Sequence, residues 1–250
     1  MLEVNEIFGP TIQGEGKKVG TPSVFVRFGK CNMQCSGFEV AYETPSGIKK
    51  FSCDSYYASD IAFRDCWDKY ESSKPLIEKI NSFLPNYKVN IVITGGEPLL
   101  YWDDEEFQKL LYYYISNDYS ITIETNGSIP IRFNHLWQKK ILFSISVKLS
   151  NSKEPLKKRV NKKALTNIIN YTKESYLKFV LDKDFLSTAS KEIKDIISNI
   201  PKCDIYIMPL GDTIDILNQN SEDIIQFALN NNFKYSDRLH IRLWNNKRGV

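Results

Sequence analysis

Ser23-Val24-Phe25-Val26-Arg27-Phe28-Gly29-Lys30-Cys31-Asn32-Met33-Gln34-Cys35 is an alternating apolar run that gives way, through a glycine, to two closely spaced cysteines. Its first six residues read as a strand. The cysteines therefore stand at the carboxyl end of that strand, where open α/β folds and barrels place their sites. A third cysteine, Cys53, followed by Asp54 and Ser55, comes after a gap of seventeen residues, 36–52. Three thiolates can hold a four-iron, four-sulfur cluster by three corners, leaving the fourth iron open to a substrate or cofactor. The long gap is no obstacle, because loop-closure entropy grows only with the logarithm of length.

Outward from this stretch, β-rich runs recur at Val89 to Thr94, Tyr119 to Glu124, Ile141 to Val147, Tyr176 to Leu181 and Asp204 to Met208. Between most of them lie segments of helical period: Leu76 to Leu84, Asp104 to Ile115, Lys162 to Tyr171, Thr188 to Ile200 and Ser221 to Leu229. Alternating strands and helices predict an α/β fold with a parallel sheet covered by helices. Six such units suit an incomplete (β/α)6 barrel in a single domain spanning 1–250. The region 36–74, rich in Gly, Ser, Pro and Asp, reads as an inserted cluster loop with room for a short helix. Asp103 and Ser221 are candidate helix caps, each followed by acidic residues that suit the positive end of the helix dipole. The last apolar segment, Leu239 to Trp244, is expected to return to the sheet or to pack on a partner chain.

Composition narrows the function classes. The chain has 250 residues, 42% of them hydrophobic and 25% charged, an ordinary globular composition. Its net charge of +3 comes from 33 basic and 30 acidic groups, too balanced to argue for a nucleic-acid surface. The basic run Lys157, Lys158, Arg159, Lys162 and Lys163 reads as a solvated helix face. No segment approaches the ~20 apolar residues of a membrane helix, and Glu3 and Glu6 stand where a signal peptide would be basic. A cytosolic protein acting on a small molecule is expected. The odd count of five cysteines favours metal ligation or free thiols over disulfides.

Three strand ends carry further chemistry. Thr94-Gly95-Gly96-Glu97-Pro98 combines glycines, past which a ligand can approach the backbone, with an anion suited to a cationic amine; alone it also reads as a glycine turn. Ile123-Glu124-Thr125-Asn126-Gly127 ends the next strand with a carboxylate able to accept two hydrogen bonds from a guanidine-like ring edge, although Asn126-Gly127 alone is a turn signal. Arg27 can face inward from its strand and meet a carboxylate with its planar fork. Of the two histidines, a lone His240 is more often a structural hydrogen-bonder. Cys203 reads as a small buried hydrophobe. Cys66 is a rival third ligand but lacks the flanking Asp and hydroxyl of Cys53.

The segments Glu6-Ile7-Phe8, Ile12-Gln13-Gly14-Glu15-Gly16, Gly20-Thr21-Pro22, Phe25-Val26-Arg27 and Cys31-Asn32 to Cys35, with the two strand-end motifs, resemble the radical S-adenosylmethionine enzymes of the 7-carboxy-7-deazaguanine synthase family. The resemblance runs from Glu6 to Trp244. The family spacing is C-x3-C-x2-C followed by Asp-Thr; here Phe38 stands where the third cysteine would fall and Cys53-Asp54-Ser55 matches Cys-Asp-Thr after the insertion. Ser144-Ile145-Ser146-Val147-Lys148 is similar to the family's Ser-Pro-Lys, with Val147 for proline. Met208 replaces a glutamine on the adenine side.

The resemblance implies a radical S-adenosylmethionine barrel that converts 6-carboxy-5,6,7,8-tetrahydropterin to 7-carboxy-7-deazaguanine with loss of ammonia. It assigns the 4Fe-4S cluster to Cys31, Cys35 and Cys53, S-adenosyl-L-methionine to Gly96, Glu97, Ser146 and Lys148, and Mg2+ to Ser55. Substrate contacts fall to Ile12, Gln13, Gly14, Arg27, Thr94, Glu124 and His240. It further implies a homodimer and an electron donor such as flavodoxin or ferredoxin. Two alternatives remain at this level: a radical S-adenosylmethionine enzyme with another substrate, and a zinc-binding structural protein using Cys31, Cys35, Cys53 and Cys66.

Overall fold

The computed structural model describes residues 1–249. Its elements run β1 (Leu2–Ile12), β2 (Pro22–Phe28), β3 (Val40–Glu43), β4 (Lys49–Ser52), α1 (Tyr56–Ser59), β5 (Asp68–Tyr70), α2 (Ser73–Asn81), β6 (Asn90–Gly95), α3 (Glu105–Ser116), β7 (Ser120–Thr125), β8 (Ile141–Ser146), α4 (Leu156–Arg159), α5 (Lys162–Tyr171), β9 (Tyr176–Leu181), α6 (Leu186–Ile197), β10 (Asp204–Pro209), α7 (Ile214–Asn230), β11 (Lys234–Tyr235) and α8 (Leu239–Trp244). Among the described residues nine strands form one sheet, in the order β11-β10-β9-β8-β7-β6-β2-β1-β5, and β3 and β4 form a separate hairpin. From β2 to β11 all neighbours are parallel, while β1 is antiparallel to both β2 and β5. The fold is thus α/β with a mostly parallel sheet.

The six expected apolar runs are six of these parallel strands, each within two residues of its predicted bounds. Strands covered on both faces have little polar surface to display, so Ile91-Val92-Ile93 and Ile141-Leu142-Phe143 are apolar throughout. Helix α3 buries Phe107, Leu110, Leu111, Tyr114 and Ile115, the spacing of one helical face. Its cap is Asp104, one residue beyond the expected Asp103: the Asp104 carboxylate accepts from Glu106 N at 2.9 Å. Because the strands are parallel, their carboxyl ends share one edge of the sheet.

Other expectations are corrected. Strand β1 stood outside the predicted set; its apolar alternation is interrupted by polar residues, and its pairing with β2 shifts register between Val4 and Glu6 and again between Phe8 and Thr11. The inserted region 36–74 holds more than a short helix, since it contains the β3–β4 hairpin and α1, and β5 returns to the main sheet. Helix α7 begins after Thr213, whose hydroxyl accepts from Ile216 N; Ser221 is mid-helix, donating to the Leu217 carbonyl. Residues 239–244 form α8 and add no strand to the sheet, the first of the two expected places. Within the basic run Arg159 is buried, bonded to the Lys148 carbonyl and paired with Glu192; Lys157 and Lys158 are exposed as expected. No helix among the described residues is long and apolar enough to cross a membrane.

Candidate active site

A cavity of about 560 Å3 opens at the carboxyl edge of the sheet. Each of six parallel strands sends at least one side chain to it, Arg27, Thr94, Glu124, Ser146, Lys178 and Met208 among them. Strand alternation brings Phe25 in with Arg27 and Val180 in with Lys178, two residues apart on one face. Every residue that the resemblance assigns to the site lines the cavity except Glu97.

The cysteine loop leaves β2 with Lys30 and Cys35 at positive φ, 68° and 51°. Cys31, Cys35 and Cys53 all line the cavity, and Cys66 does not. Burial raises the Cys31 thiol pKa well above its usual range, and the neighbouring charges of Glu97, Cys53 and Cys35 raise it further. Cys35 is pushed up to about 12, by burial and by Cys53 among others, against the opposing pull of Lys148. With both pKa values raised, Cys31 and Cys35 require a strongly cationic group beside them before they act as thiolates. Among the described residues no three His, Cys, Asp or Glu side chains converge on a single metal ion. Because Cys66 is exposed and stands outside the cavity that the other three share, the donor set is three thiols, which fits a cluster held by three corners and not a four-cysteine zinc site.

The glycines of Thr94-Gly95-Gly96-Glu97 serve the cysteine loop. A side chain on Gly95 would meet the Phe28 carbonyl oxygen at 2.1 Å, and one on Gly96 would meet the Lys30 carbonyl oxygen at 2.0 Å. The Gly96 and Glu97 N–H groups donate to those same two carbonyls, at 3.0 and 2.8 Å. The close backbone approach expected at a ligand is here an approach of the chain to itself, which seats Cys31.

Glu97 differs from its expected place beside an amine. Its carboxylate is fully buried and accepts from Leu99 N, Thr125 Oγ1 and Asn126 N at 3.0, 2.7 and 2.7 Å. It braces one strand end against the next. Asn126 passes the brace on, donating to Asn32 Oδ1, between the first two cysteines, at 2.8 Å.

At the same strand end Glu124 accepts from Gln13 Nε2 at 3.1 Å and from Thr94 Oγ1 at 2.8 Å. Lys148 donates to Ser146 Oγ at 3.0 Å and lies 5.4 Å over the Phe38 ring, so the residue at the missing cysteine position forms part of the wall. Arg27 is less available than expected, its Nε bonded to Glu6 at 2.7 Å and its Nη1 to Ser55 Oγ at 3.3 Å. His240 packs against Gly14, with Nε2 4.0 Å from Glu15; burial lowers its pKa more than Glu15 raises it, which favours the neutral ring. Ile12, Gln13 and Gly14 form the turn beneath it.

The residues absent from the candidate set are Glu15, Lys178, Arg238 and Asp54. Glu15 is ion-paired with Lys178 and, at 2.9 Å, with Arg238. Burial alone would raise the Glu15 pKa, but Lys178, Arg238 and His240 together hold it far below the carboxylate range. Glu15 and Asp54 lie inside segments that resemble the family, Lys178 lies on an expected strand, and Arg238 stands two residues before His240; that proximity was the available signal.

No family model matches the chain. It is 30% identical to the 7-carboxy-7-deazaguanine synthase of Clostridium acetobutylicum, covering 96% of each chain. It is 33% identical to the enzyme of that name from Aquifex aeolicus over 77% of this chain and 69% of the relative, and 28% identical to that of Halobacterium salinarum over 98% and 91%. Among solved structures, QueE from Escherichia coli superposes with a TM-score of 0.66 at 20% identity, covering 96% of this chain and 94% of that one, a likeness of fold.

Proposed function

The chain belongs to the 7-carboxy-7-deazaguanine synthase family, and from that premise we propose that this cavity converts 6-carboxy-5,6,7,8-tetrahydropterin to 7-carboxy-7-deazaguanine with loss of ammonia. The observation that carries the reading is that the three clustered cysteines and the doubly anchored Glu124 open into one cavity. When bound, the cluster and S-adenosyl-L-methionine together would supply the radical chemistry.

The protein's own residues position and enclose. Cys31, Cys35 and Cys53 hold the cluster. Gly96, Ser146 and Lys148 border the S-adenosyl-L-methionine side, and Glu97 serves it indirectly by bracing Asn126. Glu124, with its orientation set by Gln13 and Thr94, accepts from the guanidine-like edge of the pterin, where a preset carboxylate makes strong hydrogen bonds. Arg27 and the Ile12-Gln13-Gly14 turn close the substrate side, with a neutral His240 behind it. The cavity volume falls within the ordinary range for small-molecule sites, roughly 300–1,000 Å3.

Mg2+ does not fit Ser55 as the site stands. The Ser55 hydroxyl accepts from the cationic Arg27 fork and donates to Asp54 Oδ1, while Asp54 Oδ2 pairs with Arg238. No step is assigned to that ion.

The finer architecture belongs to the same proposal: an incomplete (β/α)6 barrel in a single domain with 36–74 as its insertion. What supports it is that six strands aim side chains into one cavity, which a flat sheet cannot do. An electron donor of the flavodoxin or ferredoxin type and a homodimer are also proposed; exposed Ile48, Phe51 and Ile61 on the insertion support a contact surface there.

Anaerobic reconstitution followed by assay with the tetrahydropterin tests the activity. Iron and sulfide contents of Cys53→Ala and Cys66→Ala test the ligands. Product formation, with cluster lost in the first variant alone, is expected. Loss in the second variant alone overturns the ligand choice, and a loaded enzyme that leaves the pterin unchanged overturns the substrate.

A further inference from the structure

The cysteine loop is gripped from behind by the segment that follows β8. Glu154 is nearly buried, 7% exposed at its side chain, and its Oε1 accepts from the backbone N–H groups of both Gln34 and Cys35, the latter at 2.9 Å. Its other oxygen pairs with Lys158 at 2.9 Å. Beside it the backbones meet directly: a side chain on Gly37 would come within 1.9 Å of the Asn151 carbonyl oxygen. The φ of 51° at Cys35 is a left-handed conformation, which disfavours a non-glycine residue and persists only where surroundings impose it. Glu154 supplies that constraint. Without it two N–H donors on a half-buried loop lose their acceptor.

We propose that Glu154 is a positioning residue for the cluster, pinning the turn at Cys35 and, with Lys158, balancing the charge felt at that corner. This rests on the reading that Cys31, Cys35 and Cys53 hold the cluster. Charge and hydrogen bonding near cluster sulfurs set reduction potential. Glu154 and Lys158 act on Cys35 in opposite senses.

The test separates grip from charge in the reconstituted protein. Glu154→Gln retains an acceptor but removes the anion, so the midpoint potential of its cluster is expected to become less negative. Lys158→Gln leaves the anion uncompensated, and its potential is expected to become more negative. Glu154→Ala is expected to lose its cluster to a chelator at least about tenfold faster than wild type, the loss of one charge-assisted hydrogen bond, with Glu154→Gln largely rescued. Potential shifts that are absent or of the same sign in the Gln variants, or an alanine variant as durable as wild type, overturn the proposal. Should wild type take up no iron and sulfide, the ligand reading fails by itself. Amide exchange at Gln34 and Cys35 in the purified chain then decides: about tenfold faster exchange in Glu154→Ala supports the grip, and equal rates overturn it.

Discussion

Arg238 donates from Nη2 to Asp54 Oδ2 at 2.7 Å, joining the carboxyl-terminal segment to the residue that follows the third cysteine. Its Nε bonds Glu15 at 2.9 Å, and its Nη1 reaches the Gly211 carbonyl. One planar fork thus spans the amino-terminal turn, the insertion and the loop after β10.

Arg238→Met removes the cation and leaves the buried Glu15 short of a partner. Breaking a buried pair by deleting one member costs on the order of 3–5 kcal/mol. Urea denaturation should show such a loss. Arg238→Lys should recover only part of it, because an ammonium cannot span three acceptors. A methionine variant within about 1 kcal/mol of wild type would show that the fork carries little.

Glu15→Gln reports on the same network through pH. The folded pKa of Glu15 lies below its ordinary 4.5, so its ionised form stabilises the fold fully above 4.5, and that contribution fades as pH falls below 4.5 toward the folded value. The stability gap between wild type and variant is therefore expected to be wide at pH 7 and to narrow in acid. A gap that stays constant from pH 7 to pH 3 contradicts the assignment.

Gly96→Ala places a methyl group against the Lys30 carbonyl, backbone that cannot rotate away. The expected result is a folded chain that binds cluster poorly, read as iron per chain beside an unchanged far-ultraviolet circular dichroism spectrum. Full iron content in this variant would remove the link between the glycine pair and the cysteine loop.

Glu124→Gln keeps the size of the side chain but replaces one acceptor oxygen with a donor. Charged hydrogen bonds contribute about 1.5–3 kcal/mol each, so kcat/KM for the pterin should fall roughly 10- to 100-fold, with iron content unchanged. Wild-type efficiency in the variant rules out Glu124 as the ring contact.

Much of this site was legible in the chain because its parts are local. Thr94, Glu124 and Ser146 sit at strand ends that apolar periodicity marks, and a polar residue there has only the cavity to face. Glu97 reads in the sequence as an anion for a cationic amine, because nothing local shows that the turn rotates its carboxylate onto Leu99, Thr125 and Asn126. Strand β1 escaped because an antiparallel strand with polar interruptions and shifted register lacks a clean period.

By itself the sequence determined the six parallel strands and the order in which the residues lining the cavity arrive, since period and motif spacing are short-range properties. Only the tertiary structure decided which charges meet. Arg238 lies 184 residues from Asp54, and Glu154 lies 119 from Cys35. Such pairs form when packing brings distant segments together and excludes the water that would otherwise screen them, and no local pattern records that approach.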